Sequence, residues 1–157
     1  MHSVVAILPA AEVFEAPFER VVLEHEERRV RRKLLRLSSG TEILLDLPQT
    51  TTLAPDQVLK LSDGRSIAIE AAEELLYEIR ARDAGHLLRL AWHIGNRHTP
   101  AQLDPDRILI KRDHVLKTML EGLGATVRNT SEPFFAEHGA YHSHSHGNES
   151  HALLNRR

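Results

Sequence analysis

Up to about residue 70 the chain alternates apolar and polar positions in short runs. Ile43, Leu45 and Leu47 fall on one side of an extended backbone with Glu42 and Asp46 on the other, and Ile67 and Ile69 flank Ala68. This period of two is the mark of half-buried strands. Between such runs stand Ser38-Ser39-Gly40 and Ser62-Asp63-Gly64-Arg65, where glycine beside serine or aspartate supplies the positive φ that a tight hairpin turn needs. The pattern predicts strands near 4–8, 19–24, 30–37, 41–47, 57–61 and 66–71, a small all-β domain over residues 1–72.

The period then changes. Leu75 to Arg80 reads as a strand, and Asp83 is placed to N-cap a helix with an apolar stripe of Ala84, Leu87, Leu88, Ala91 and Ile94, closed by Gly95 as its left-handed C′ residue. Strands at 101–103 and 107–111 flank Asp104-Pro105-Asp106. A second helix follows Asp113 with Val115, Leu116, Met119, Leu120 and Leu123 on one face, ends at Gly124, and leads to a last strand at 125–130. The order βαββαβ over residues 73–131 predicts a ferredoxin-like domain, with both helices on one face of an antiparallel sheet. From Glu132 onward periodicity is lost among Pro133, glycines, serines and histidines, so residues 132–157 are expected to form a flexible, histidine-rich tail. The fold class is α+β.

Composition narrows the chemistry. The 157 residues include no cysteine, which excludes disulfides, thiolate zinc sites and iron–sulfur clusters and leaves histidine and carboxylate as the strong metal ligands. A formal net charge of −2 offers no whole-molecule attraction to nucleic acid or anionic membrane. No apolar stretch approaches the roughly 20 residues of a membrane span, and no basic segment precedes the short apolar run after Met1, so a cytoplasmic location is expected.

Of eleven histidines, five fall between residues 138 and 151. Imidazole suits nickel, zinc and copper, and His142, His144 and His146 at i, i+2 and i+4 would share one side of an extended chain. On the first helix His86, Arg89 and His93 lie opposite the apolar stripe, where His86 is expected to be solvated. His93 stands in the last turn, near the loop that carries His98. One imidazole holds a divalent ion poorly, but a twofold axis would bring two copies of His98 together. His114 follows a helix cap, where the helix dipole favours the neutral, metal-binding ring. Arg28, Arg29, Arg31, Arg32 and Lys33 form the one basic cluster. With Glu24, Glu26 and Glu27 before it and no aromatic side chain interleaved, it reads as a solvated strand or protein-partner surface rather than a nucleic-acid site. His93 and His98 are five apart, not the four of a helical zinc-enzyme motif, and neither a nucleophile elbow nor a phosphate loop is present, so no enzyme activity is expected.

His93-Ile94-Gly95-Asn96-Arg97-His98, Asp113-His114-Val115-Leu116 followed by Met119 to Gly124, and Pro133-Phe134-Phe135-Ala136-Glu137-His138-Gly139-Ala140-Tyr141 leading into a histidine-rich end together resemble the UreE family of urease accessory proteins. The motifs cover the second half of the chain; the first half agrees in pattern. The resemblance implies a nickel metallochaperone. It would be a homodimer binding Ni(II) between its C-terminal domains and delivering it to urease apoprotein with the accessory GTPase and other maturation proteins. Zinc or copper would also bind in vitro. By that likeness His98 is the ligand given once by each subunit, His142, His144 or His146 complete or feed the site, and the strand at 28–33 meets a partner. Arg112 stands where some relatives carry histidine, which counts against a further surface site beside His114. The competing expectation is a protein-binding module whose tail merely sequesters metal. Because imidazole must be neutral to bind, metal affinity is expected to fall as pH drops through about 6.5.

Overall fold

The computed structural model describes residues 1–138. Six strands build the first part: β1 (His2–Pro9), β2 (Glu19–Leu23), β3 (Arg29–Arg36), β4 (Glu42–Thr52), β5 (Gln57–Leu61) and β6 (Ser66–Ala71). They form one sheet in the order β2-β6-β5-β1-β4-β3. β1 joins its two halves, pairing parallel with β4 at His2 and Ser3 and, past a register shift between Val4 and Ala6, antiparallel with β5. The inward residues of both halves, among them Val21, Leu35, Ile43, Leu45, Leu59 and Ile67, share a single core. The expected hairpin turns close β3–β4 and β5–β6, with Gly40 and Gly64 both at φ 91° and each glycine N–H donating back across its turn.

The second part runs β7 (Glu73–Arg80), α1 (Ala84–Asn96), β8 (Ala101–Leu103), β9 (Ile108–Lys111), α2 (His114–Gly122) and β10 (Thr126–Pro133). Its sheet order is β10-β7-β9-β8, every neighbour antiparallel. This is the ferredoxin-like arrangement expected from the sequence. Tyr77, Ile79, Ile108 and Ile110 pack against Leu90 and Ile94 of α1 and Leu116 and Leu120 of α2. On the other face Leu76 and Leu109 are covered by Phe134 and Ala136.

The buried stripe of α1 differs from the expected one. It runs through Leu90 and Ile94 with Leu87 and Ala91 beside it, while Leu88 is 73% exposed. Val115 of α2 is likewise exposed. Both helices pack on one face of the sheet, and only the line of side chains facing it is covered.

Residues 132–138 also depart from the expectation of a flexible tail. Glu132 and Pro133 extend the β10–β7 ladder, Phe134 is fully buried, and the Glu137 N–H donates to the Ala101 carbonyl at 2.8 Å. Strand pairing and one large aromatic ring order this stretch, features that periodicity does not register. The seam between the two parts is built here. Arg28, 2% exposed, donates to the Leu23 carbonyl at 3.0 Å and to the Phe134 carbonyl, and its guanidinium lies 4.9 Å from the centre of the Phe135 ring. Glu74, also buried, accepts from the His25 N–H at 2.9 Å and faces the Lys111 ammonium at 3.6 Å. Among the described residues no buried side-chain nitrogen or oxygen lacks a partner.

Candidate metal site

Helix α1 presents the first candidate ligands. Asp83 caps it as expected, its Oδ1 accepting the His86 N–H at 2.7 Å. The far end corrects the expectation for Gly95, which lies inside the helix; Arg97 is the C-cap and the left-handed residue is His98, at φ 56°. The His98 N–H donates to the Gly95 carbonyl at 2.9 Å and the Thr99 N–H to the Ile94 carbonyl at 3.4 Å, the paired bonds of a Schellman ending. α2 ends in the same motif with Gly124 at φ 89°; there Gly124 bonds to Glu121 and Ala125 to Leu120, both at 3.0 Å. A histidine thus occupies the position that its counterpart fills with glycine, and its ring is exposed.

His93 is half-buried, its ring edge-on to that of Trp92 at 5.1 Å. His114 opens α2 in the open, its carbonyl accepting from the Thr118 hydroxyl at 3.1 Å. His86 overturns the expectation of a solvated ring: it is 8% exposed. Its Nδ1 accepts from the Arg82 N–H at 3.1 Å and its Nε2 lies 2.8 Å from the Leu123 carbonyl, so the network assigns the proton to Nε2. The ring ties the start of α1 to the end of α2. His142, His144 and His146 lie outside the described residues.

His98 and Thr99 form one wall of a cleft of about 490 Å³ at the seam. His25, Glu26, Arg29 and Thr52 line it from the first part, Pro100 lies beside Thr99, and Glu137 and His138 come from the segment after β10. His25 is a residue that sequence reasoning missed, since a single histidine between glutamates in a turn carries no signal. Its ring meets Phe134 edge-on at 5.2 Å, and burial first, then Arg28, holds its pKa below the ordinary histidine value. Among the described residues no three histidine or carboxylate side chains already converge as a closed metal site.

The basic cluster divides. Arg29, Arg31, Arg32 and Lys33 are exposed on β3, an edge strand, with Arg32 3.9 Å from Asp46 and Lys33 3.9 Å from Glu27. Arg28 is a correction to the partner-surface reading, since its guanidinium faces inward and is used up by backbone carbonyls. It is the last residue of a one-turn 3₁₀ segment, Glu26–Arg28, directly before β3.

A family model described as UreE urease accessory protein, N-terminal domain, matches residues 4–72, and one described as its C-terminal domain matches residues 74–155. Curated relatives agree along most of the chain. A urease accessory protein UreE of Rhizobium meliloti is 53% identical over 132 residues, covering 84% of this chain and 86% of its own length. One of Rhizobium rhizogenes is 50% identical over 151 residues, 96% of this chain and 89% of its own. One of Agrobacterium fabrum is 47% identical over 151 residues, 96% of this chain and 92% of its own.

Proposed function

The chain belongs to the UreE family of urease accessory proteins, and from that premise we propose that it is a nickel metallochaperone. It carries Ni(II) between two copies of its C-terminal domain and delivers it for assembly of the urease active site. A role in urease maturation follows from the family; nickel as the cargo, the homodimer and the ligand set are our reading. The observation that carries it is the placement of His98. A side chain in the left-handed region costs on the order of 1–3 kcal/mol, and such strain is concentrated where a side chain must be aimed. Here it turns an imidazole out of the helix end into the open.

Support comes from the neighbouring surface. Leu88 is 73%, Trp92 64% and Val115 64% exposed on the two helices of this domain, and apolar side chains so placed favour burial against another protein surface. A twofold contact near the end of α1 would set two His98 rings on one ion. The remaining positions would be open to water or to tail histidines such as His142, His144 and His146, with His93 and His114 as reserve ligands. A site of two fixed imidazoles and exchangeable partners releases metal more readily than a closed four-ligand site. Affinity alone does not select nickel, because copper binds nitrogen ligands more tightly; selection would come from delivery partners, the urease apoprotein and the accessory GTPase. The exposed cations Arg29, Arg31, Arg32 and Lys33 would meet an acidic partner surface. No helix among the described residues is long and apolar enough to cross a membrane, and the relatives are named accessory proteins rather than ureases. We read the protein as non-enzymatic and cytoplasmic.

Native mass spectrometry during nickel titration tests the reading. A dimer taking up one tightly held nickel, lost in His98→Ala, is the expected result. A monomer, or unchanged nickel uptake by His98→Ala, would place the metal on the tail alone and overturn it.

A further inference from the structure

We propose that His25, Glu137 and His138 form a second metal position within each subunit, across the seam between the two domains, that takes the same borderline divalent ion and passes it to His98. The inference deepens the reading of His98 as a nickel ligand and rests on it for the destination of the ion. Its ground is geometric. Three imidazoles of the described residues, His25, His98 and His138, line one cleft of about 490 Å³, with Glu137 among them.

The three residues arrive from different parts of the chain and are held by different means. His25 is fixed by its backbone N–H on Glu74 at 2.9 Å and by the Phe134 ring at 5.2 Å. Glu137 is fixed by its backbone bond to Ala101 at 2.8 Å, which lays the chain end beside the loop of His98. His138 follows at once and lines the same cleft as His25. A neutral ring with an open lone pair is the ligand form. Imidazole nitrogen and carboxylate oxygen together match nickel, zinc or copper rather than calcium or magnesium. Because no three of these groups yet converge, the site closes only on the ion. Such a site holds metal loosely, as a transit position must. Its location gives the histidine of the first domain a role, since His25 and His98 of the second domain line one cleft.

The test uses the full-length protein with His142, His144, His146 and His151 all replaced by alanine, titrated with Ni(II) against a chromophoric chelator. We expect two classes of site, one shared by two subunits and one weaker site per subunit. Adding His25→Gln or His138→Ala should weaken the second class by about tenfold or more, the least effect expected when a metal site loses a supporting group, and leave the first class in place. Adding His98→Ala should remove the first class only. His138→Ala alters an exposed residue, so a loss there is not a folding defect. Absence of the weaker class, or its survival in both His25→Gln and His138→Ala, overturns the proposal. Nickel binding unchanged by His98→Ala overturns the shared-site reading instead.

Discussion

At His98 the backbone adopts the conformation that Gly124 adopts at the end of α2, so the two helix ends form an internal comparison. Glycine reaches φ near 60–90° without the Cβ clash that other residues meet. His98→Gly should therefore raise stability by about 1 kcal/mol, roughly 3 °C in melting temperature for a chain of this size, while abolishing the shared nickel site. Thermal melts of the metal-free protein read the first effect, and a fall in melting temperature would show that His98 is not strained. The identity of His98 as a candidate was legible in the sequence, through its place after a helical stripe and near a tail of histidines. Its strain was not, because Gly95 offered itself as the left-handed residue. The helix passes through Gly95 since the Schellman bonds fall on Ile94 and Gly95 as acceptors. His86 was misread for a related reason: its two ring bonds are to backbone groups of Arg82 and Leu123, and backbone partners leave no trace in side-chain patterning.

Among the elements, β7 and β10 are tied by ion pairs to the turn between β8 and β9. Arg107 donates to Glu132 at 2.7 Å, Asp104 at 2.8 Å and Glu78 at 3.0 Å, and Arg80 joins Glu78 to Asp106. The Arg80 guanidinium, then Arg107, holds the Glu78 carboxyl below its usual range; Arg107 first, then the Thr130 hydroxyl, does the same for Glu132. A folded-state pKa below the unfolded one contributes stability that is present above the ordinary carboxylate value and is lost as pH falls through the depressed one. Urea midpoints should thus stay level from neutral pH to about 5 and drop below about 4.5. Glu132→Gln should cost about 1 kcal/mol at neutral pH and flatten the acid drop. An unchanged drop in Glu132→Gln would remove this network from the account. The strands themselves were legible: β5, β6 and β8 begin and end where alternation places them. β4 and β10 run further than expected, because ladder hydrogen bonds continue through polar residues whose side chains face water.

For the molecule as a whole, the seam decides whether the two domains behave as one. Arg28 is buried there, donating to the Phe134 carbonyl and to the Leu23 carbonyl, which also accepts the Ala72 N–H at 2.9 Å; an unpaired buried carbonyl costs about 1–3 kcal/mol. We expect a single calorimetric transition in the wild-type protein. In Arg28→Ala we expect a loss of about 1–3 kcal/mol and separation of the two domain transitions, as happens when domains melt independently. A single unshifted transition in Arg28→Ala would show that the seam couples nothing. The basic run 28–33 was visible in the sequence as charge, yet charge does not say which cation is spent inside: Arg28 turns inward because the chain at Glu26–Arg28 coils for one turn, leaving the exposed cations on edge strand β3.

Local order was readable from the sequence. Alternation sets strands, capping aspartates set the starts of both helices, glycine beside polar residues sets the hairpin turns, and the succession βαββαβ restricts the second domain to few topologies. What the tertiary structure alone decided depends on contacts between residues far apart in sequence. These are the helix faces that meet the sheet, the burial of Arg28 and Phe134, and the gathering of His25, His98 and His138 around one cleft. Pattern reports what each short segment must bury or expose; which distant segment supplies the other half of a contact is settled only when the whole chain closes around its cores.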